Sequence, residues 1–260
     1  MADLNPAARA TTLRTVELFA RINLLGGRAV RLPRGDVHES VSLDADPVAR
    51  AAGWVGKGAD RLLVVDLDAA AYRDYRNRPL IADIVAAVDV PVHASGGVRS
   101  KREVARMLEE VGVDQVGMGT AALRDQVLLW DLCREYPGRI FVSLDVLPSE
   151  ELATRAWTAG SGRYLEETLI ELSSAGVASF HVIQALRNSL VEPSNLGILE
   201  ASLAIVKEPV IAAGGARDMN DLKALAALES EGRRLAGLVV GREVTEGRFS
   251  IEEARAILGG

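Results

Sequence analysis

Aromatic side chains make up only 4% of this 260-residue chain, which also has a single cysteine, Cys133, and three histidines. One thiol excludes a disulfide framework and a paired-cysteine metal motif, so an inert helical position is expected for Cys133. Of the 30 cationic residues, only Lys57, Lys101, Lys207 and Lys223 are lysines. All four fall in or beside helical patterns, which leaves no strand-end amine for Schiff-base chemistry. No cluster of His, Asp and Glu has metal-ligand spacing; the nearest approach is Asp66 and Asp68 with His93. There is neither a Ser-His-Asp arrangement nor a dinucleotide glycine fingerprint with its trailing acid. The longest apolar runs are strand-sized, so no membrane span is expected. Residues 1–18, rich in Ala and Arg, lack the apolar segment of a signal peptide. They read as an extension to one domain, 19–260, in the cytoplasm. A net charge of −6, a pI near 5.3 and no basic stripe exclude nucleic acid as an expected partner.

What the chain does have is Ala, Val, Leu, Ile and Gly, within a 48% hydrophobic total. It also repeats itself. Val90–Glu110 (VPVHASGGVRSKREVARMLEE) recurs in outline as Glu208–Leu228 (EPVIAAGGARDMNDLKALAAL). Each copy is an apolar run, a Gly-Gly pair, an arginine two residues on, and an amphipathic stretch. A second echo follows each, around Gly119 and around Gly241. Strand patterns fall at Phe19–Leu24, Arg61–Leu67, Val90–Ala94, Asp114–Met118, Arg139–Asp145, Ser179–Ile183, Pro209–Ala213 and Ala236–Val240. Helical patterns lie between them at Pro47–Lys57, Pro79–Val88, Lys101–Val111, Val127–Glu135, Leu165–Ser174, Leu196–Val206, Met219–Ala227 and Ile251–Leu258. Regular alternation, doubled by the repeat, predicts an α/β fold: a (β/α)8 TIM barrel with two-fold pseudosymmetry between its halves. Three long stretches, Gly26–Asp46, Val146–Arg163 and Ala185–Asn195, read as irregular covers of a site.

In such a barrel the chemistry sits where strands end. The residues collected there are Asn23, Asp66, Asp68, Ser95-Gly96-Gly97, Gly119-Thr120, Asp145, Gly214-Gly215 and Gly241-Arg242. Glycine lets backbone N–H groups approach an anion, and a following helix N-terminus adds partial positive charge. Any one glycine pair alone is equally a tight turn. Four loops, paired by the repeat, predict two phosphate cradles, assisted by Arg99 and Arg242, and a small-molecule substrate with a phosphate at each end. His93 and His181 share strand parity with Ser95 and Ile183, which directs them toward the barrel mouth; His38 lies in the first long loop. Histidine suits proton exchange near neutral pH, although packed or solvated imidazoles fit the same pattern.

Several segments resemble the HisA-like phosphoribosyl isomerases of histidine biosynthesis: VVDLDAA (64–70), PVHASGGVRS (91–100), VGMGTAAL (116–123), SLDV and ATRAW (143–146, 153–157) and VVGREVTEGRFSIEEA (239–254). INLLGGRAVRL (22–32), followed by Gly35-Asp36, is similar to that family's opening. The resemblance runs from about residue 18 onward. The related HisF-like cyclases share the fold, but ATRAW and EGRFSIEEA are closer to the isomerases. The resemblance implies an Amadori rearrangement of a bis-phosphorylated ribonucleotide, without cofactor or metal, by a monomer. One group protonates the sugar ring oxygen and opens the ring to a Schiff base; another removes the C2 proton. The family's two aspartates end the first and fifth strands. Arg31, Arg155 and Trp157 match positions that contact substrate, and some members also act on phosphoribosyl anthranilate.

The catalytic edge departs from this pattern. Asp145 holds the fifth-strand position, but Asn23 stands at the first, and an amide does not exchange a proton near neutral pH. Where the family has a sequence like TDISRDGTL, this chain has IQALRNSLV (183–191), with Ile183, Gln184, Asn188 and Ser189 at the changed polar positions. His93, His181, Asp66 or Asp68 would then be the compensating acid or base. Three readings stay open: an isomerase with a rewritten proton-transfer set, a paralogue with other chemistry on a phosphoribosyl compound, and a non-catalytic phospholigand-binding protein.

Overall fold

The structure, a computed structural model, describes residues 16–33, 37–44, 46–154, 159–184 and 195–259. Arg155, Trp157, Gly35-Asp36, Asn188, Ser189 and nearly all of the 1–18 extension lie outside the described residues.

Eight parallel strands form the barrel: β1 (Glu17–Leu25), β2 (Arg61–Asp66), β3 (Val92–Ser95), β4 (Gln115–Met118), β5 (Ile140–Val146), β6 (Ser179–Gln184), β7 (Val210–Ala213) and β8 (Gly237–Val240). Each pairs with the next, and β8 pairs with β1 to close the ring. β1 begins two residues before the expected boundary. Closure buries both strand faces, which is why the strands read as apolar runs. On β1, Leu18, Ala20, Ile22 and Leu24 face outward under the helices, while Phe19 faces in. Among those helices, Pro47–Gly56 starts on an Asp46 cap with proline in its first turn and buries Ala51 and Trp54. Ile251–Leu258 starts on a Ser250/Glu253 capping box. Cys133 is buried in a helix, and burial pushes its thiol up to about 11, so it is unreactive at neutral pH.

The interior has the predicted two-fold character. Phe19 on β1 and Phe141 on β5 each fill space that a glycine on the preceding strand vacates, Gly237 on β8 and Gly117 on β4; a Cβ on either glycine would strike the phenyl ring. Leu63, Ile211, Ala213 and Val239 complete that layer. Below it, Arg61 at the start of β2 pairs with Glu17 at the start of β1 at 2.8 Å and lies 3.7 Å from Asp114, just before β4. These charges close the barrel floor.

Three features differ from expectation. The stretch after β1 is a hairpin: Arg28–Arg31 folds back on Asn23–Leu25 and is joined by Val41–Asp44. Gly26 and Gly27 make its two-residue turn with φ of +58° and +75°, the backbone that favours glycine at both positions. The equivalent stretch after β5 holds Glu151–Thr154 paired with Ala159–Tyr164. Such short strands owe their pairing to the barrel rim, which pattern windows do not sense. Short helices (Leu67–Tyr72, Thr120–Arg124, Arg242–Thr245) follow β2, β4 and β8, and the expected helix Lys101–Val111 becomes π-helical from Arg106.

Candidate active site at the barrel mouth

Asn23 and Asp145 sit four residues beyond Phe19 and Phe141 on the same inward parity. A strand rises about 3.3 Å per residue and tilts about 36° from the barrel axis, so both lie roughly 11 Å above the phenyl layer, at the C-terminal rim. They occupy equivalent places in the two halves, and both are half-buried. Ser95 ends β3 between Val65 and Gly117, its Cβ near the space the Phe141 ring fills, so it lies below the height of Asn23 and Asp145. The mouth thus presents one carboxylate and one amide where the resemblance implies two carboxylates.

His93 and His181 do not reach this rim. Both are buried inside the barrel, but at its lower half, against Phe19 and Phe141. His181 stacks on Phe141 at 4.1 Å. His93 Nε2 lies 3.6 Å from Asp114 and 3.4 Å from Arg61 at the floor. Burial lowers the pKa of both; the neighbouring His93 lowers His181 further, whereas Asp114 partly offsets the effect at His93. Both rings lie inside the barrel, but position along the strand decides between mouth and floor, and both histidines fall early in their strands. His38 is exposed on a single 3-10 turn.

Asp66 and Asp68 are also committed elsewhere. Asp66 caps the helix Leu67–Tyr72 by accepting from Ala69 N at 3.1 Å. Asp68 accepts from Gly26 N at 2.6 Å. Between them lies Asn77, only 1% exposed. Its amide donates to Asp66 at 2.8 Å and to Asp68 at 2.7 Å, and its oxygen accepts from Gly27 N at 3.1 Å. Asn77 therefore ties the β1 hairpin turn, which begins three residues beyond Asn23, to the loop after β2. Burial raises the pKa of Asp66 against the lowering effect of its hydrogen bonds. The pattern DLDAA with a downstream Asn carried no signal for this cluster, because Asn77 reads as an ordinary residue before Arg78-Pro79. Among the described residues no three His, Cys, Asp or Glu gather as a metal site, and His93 lies at the opposite end of the barrel from Asp66 and Asp68.

The four glycine loops do surround the mouth, but they differ from one another. Gly96 and Gly97 have φ of +106° and +73°. A Cβ there would run into the Asp66 carbonyl or Ala69, so close packing against the loop after β2 explains both glycines. Gly214 and Gly215 have φ of +82° and +89°. The helices that follow these pairs are capped by Ser100 and Asp218, which use the N-terminal N–H groups. Helices after β4 and β8 begin instead on Gly119 and Gly241, without a side-chain cap. Thr120 begins the first of these helices, and buried Glu243 takes Gly241 N at 3.2 Å in the second. Arg99 donates to the carbonyls of Ala69, Ala70 and Gly97 and so braces a loop. Arg31 and Arg242 meet on Glu246, at 3.1 and 2.9 Å.

Comparison with known proteins supplies the lineage. The family described as "Histidine biosynthesis protein" matches residues 17–250. A relative from Picosynechococcus is 37% identical over 244 residues, spanning 94% of this chain and 94% of its own. One from Synechococcus is 38% identical over 244 residues, spanning 94% of this chain and 91% of its own. One from Prochlorococcus marinus is 34% identical over 243 residues, spanning 94% of both. All three are named as isomerases of an imidazole-4-carboxamide that carries phosphoribosyl and phosphoribosylamino groups. With a closed eight-stranded barrel and matches of this extent, the chain belongs to the histidine biosynthesis protein family.

Proposed function

We propose that this protein is the aldose–ketose isomerase of the histidine pathway, acting on the bis-phosphorylated ribosylamino-imidazole carboxamide (ProFAR), with Asp145 as its proton-transfer group. The observation that carries this reading is Asp145 at the inward rim of β5, in a chain that aligns almost end to end with relatives of that name. Neither a paralogue with other chemistry nor a non-catalytic binder is favoured by relatives that all bear the isomerase name.

Asp145, as the acid, gives its proton to the ring oxygen, and the C1–O bond breaks to leave a Schiff base. The carboxylate so formed takes the C2 proton and yields the enaminol. Return of a proton to C1, with loss of the enol proton, completes the ketose. The group ends as it began, and no redox partner is needed. Asn23 faces the same space and orients the sugar by hydrogen bonding, since an amide neither gives nor takes a proton there. Two phosphate ends rest on the uncapped N–H groups at Gly119-Thr120 and on the Gly214-Gly215 and Gly241-Arg242 loops. By the resemblance, Arg155 and Trp157 would be substrate contacts. On this reading the protein is a cytoplasmic monomer with no cofactor, metal, membrane or nucleic-acid partner.

Purified protein should turn over ProFAR, and Asp145→Asn should lower kcat by about 10²–10⁴-fold. Tight binding of ProFAR without turnover would refute the isomerase reading.

A further inference from the structure

Glu246 ends the short helix after β8 and is the meeting point of three arginines. Its Oε1 accepts from Arg31 Nη1 at 3.1 Å and from Arg242 Nε at 2.9 Å, and its Oε2 accepts from Arg248 Nε at 3.0 Å. The three come from different places: Arg31 from the hairpin after β1, Arg242 from the start of the helix after β8, Arg248 from the turn beyond it. Arg248 also reaches the Arg217 carbonyl at 3.5 Å, two residues past Gly215. One carboxylate thus ties together the loops after β1, β7 and β8.

Three guanidiniums held side by side repel one another, and a single half-buried carboxylate offsets that repulsion without cancelling their charge. Burial works against the charge of Glu246, yet Arg242 and Arg248 outweigh it and hold the carboxyl below its ordinary value. It therefore stays an anion at neutral pH. Glu243, bonded to Gly241 N, the Arg217–Asp221 pair and Asp218 are the other charges at this corner, so four arginines face four carboxylates. Among the described residues Arg31 spends one of its five N–H donors on Glu246.

We propose that Glu246 is a positioning residue: it gathers Arg31 and Arg242 at the corner between the Gly214-Gly215 and Gly241 loops and so sets the affinity of that corner for a phosphate dianion. The assignment rests on the phosphorylated substrate proposed above. Glu246 touches no reacting atom; it acts through the arginines it aims.

The test compares wild type, Glu246→Gln and Glu246→Asp for KM and kcat with ProFAR, and for inorganic phosphate binding by calorimetry. Losing two or three charge-assisted bonds should raise both KM and the phosphate dissociation constant about tenfold or more in Glu246→Gln, with kcat within about twofold. Glu246→Asp, which keeps the charge, should recover part of the loss. In an Arg31→Ala background the Glu246→Gln effect should shrink, because the two act as a unit. Unchanged or tighter phosphate binding in Glu246→Gln would overturn the proposal, making Glu246 a bystander or an internal competitor. A fall in kcat at constant KM would overturn it too. If Glu246→Gln does not fold, Glu246→Asp and Arg31→Ala carry the same comparison. A wild type that binds phosphate but leaves ProFAR unchanged would defeat the isomerase reading and leave this test intact.

Discussion

Replacing Asn77 with leucine removes the bridge between the first two loops of the mouth while keeping the same number and branching of side-chain heavy atoms. Two charge-assisted bonds vanish, those to Asp66 at 2.8 Å and to Asp68 at 2.7 Å. Bonds to charged groups are worth about 1.5–3 kcal/mol each. The carboxylates are not left bare, since Ala69 N still serves Asp66 and Gly26 N still serves Asp68. The leucine recovers part of the loss by apolar burial, of order 1–2 kcal/mol. The net cost should be about 2–4 kcal/mol, a fall in Tm of roughly 5–12 °C for a chain of this size. The pH dependence has a definite sign. Burial raises the pKa of Asp66 above the ordinary carboxylate value, so its contribution to stability is complete below that ordinary value and is lost as pH rises through the raised one. Without the Asn77 N–H the folded pKa climbs further, and the deficit of Asn77→Leu relative to wild type should widen from pH 4 to pH 7. Urea unfolding at several pH values measures it. A deficit under about 1 kcal/mol, or one that does not change with pH, would refute the bridge as described.

Asn23→Asp restores a second carboxylate at the rim and should raise kcat for ProFAR, by up to about 10²-fold if it becomes a working acid–base group; unchanged or lower turnover would show that the amide is the better partner for Asp145. His181, buried and with its pKa lowered first by burial and then by His93, stays neutral in the fold, so stability is complete above about pH 6.5 and is lost below it by up to about 1.4 kcal/mol per pH unit, down to the folded pKa. His181→Leu should flatten that acid limb in urea titrations, and an unchanged slope would contradict the burial argument. Gly117→Ala places a methyl against the Phe141 ring and Ser95 and should cost about 1–3 kcal/mol by overpacking; a neutral effect on Tm would mean the ring yields freely.

The barrel and its doubling were legible in the chain because they rest on local rules. Apolar runs bounded by glycine and helical stripes between them recur every few tens of residues, and a strand that is buried on both faces cannot hide its composition. Asn23 and Asp145 were placed at the mouth for the same reason: each ends such a run. Tertiary structure decided the rest. Parity along β3 and β6 directed His93 and His181 inward, but the stagger of a closed barrel put them against Phe19, Phe141 and the floor charges instead of the rim. Asp66 and Asp68 looked like loose acids until the fold brought Asn77 and the Gly26-Gly27 turn between them. Glu246 shares no sequence neighbourhood with Arg31, yet meets it at 3.1 Å because β8 closes against β1. A sequence records which groups are available and which face they take; only ring closure, acting over long separations, sets the height at which they meet and the partner that each one finds.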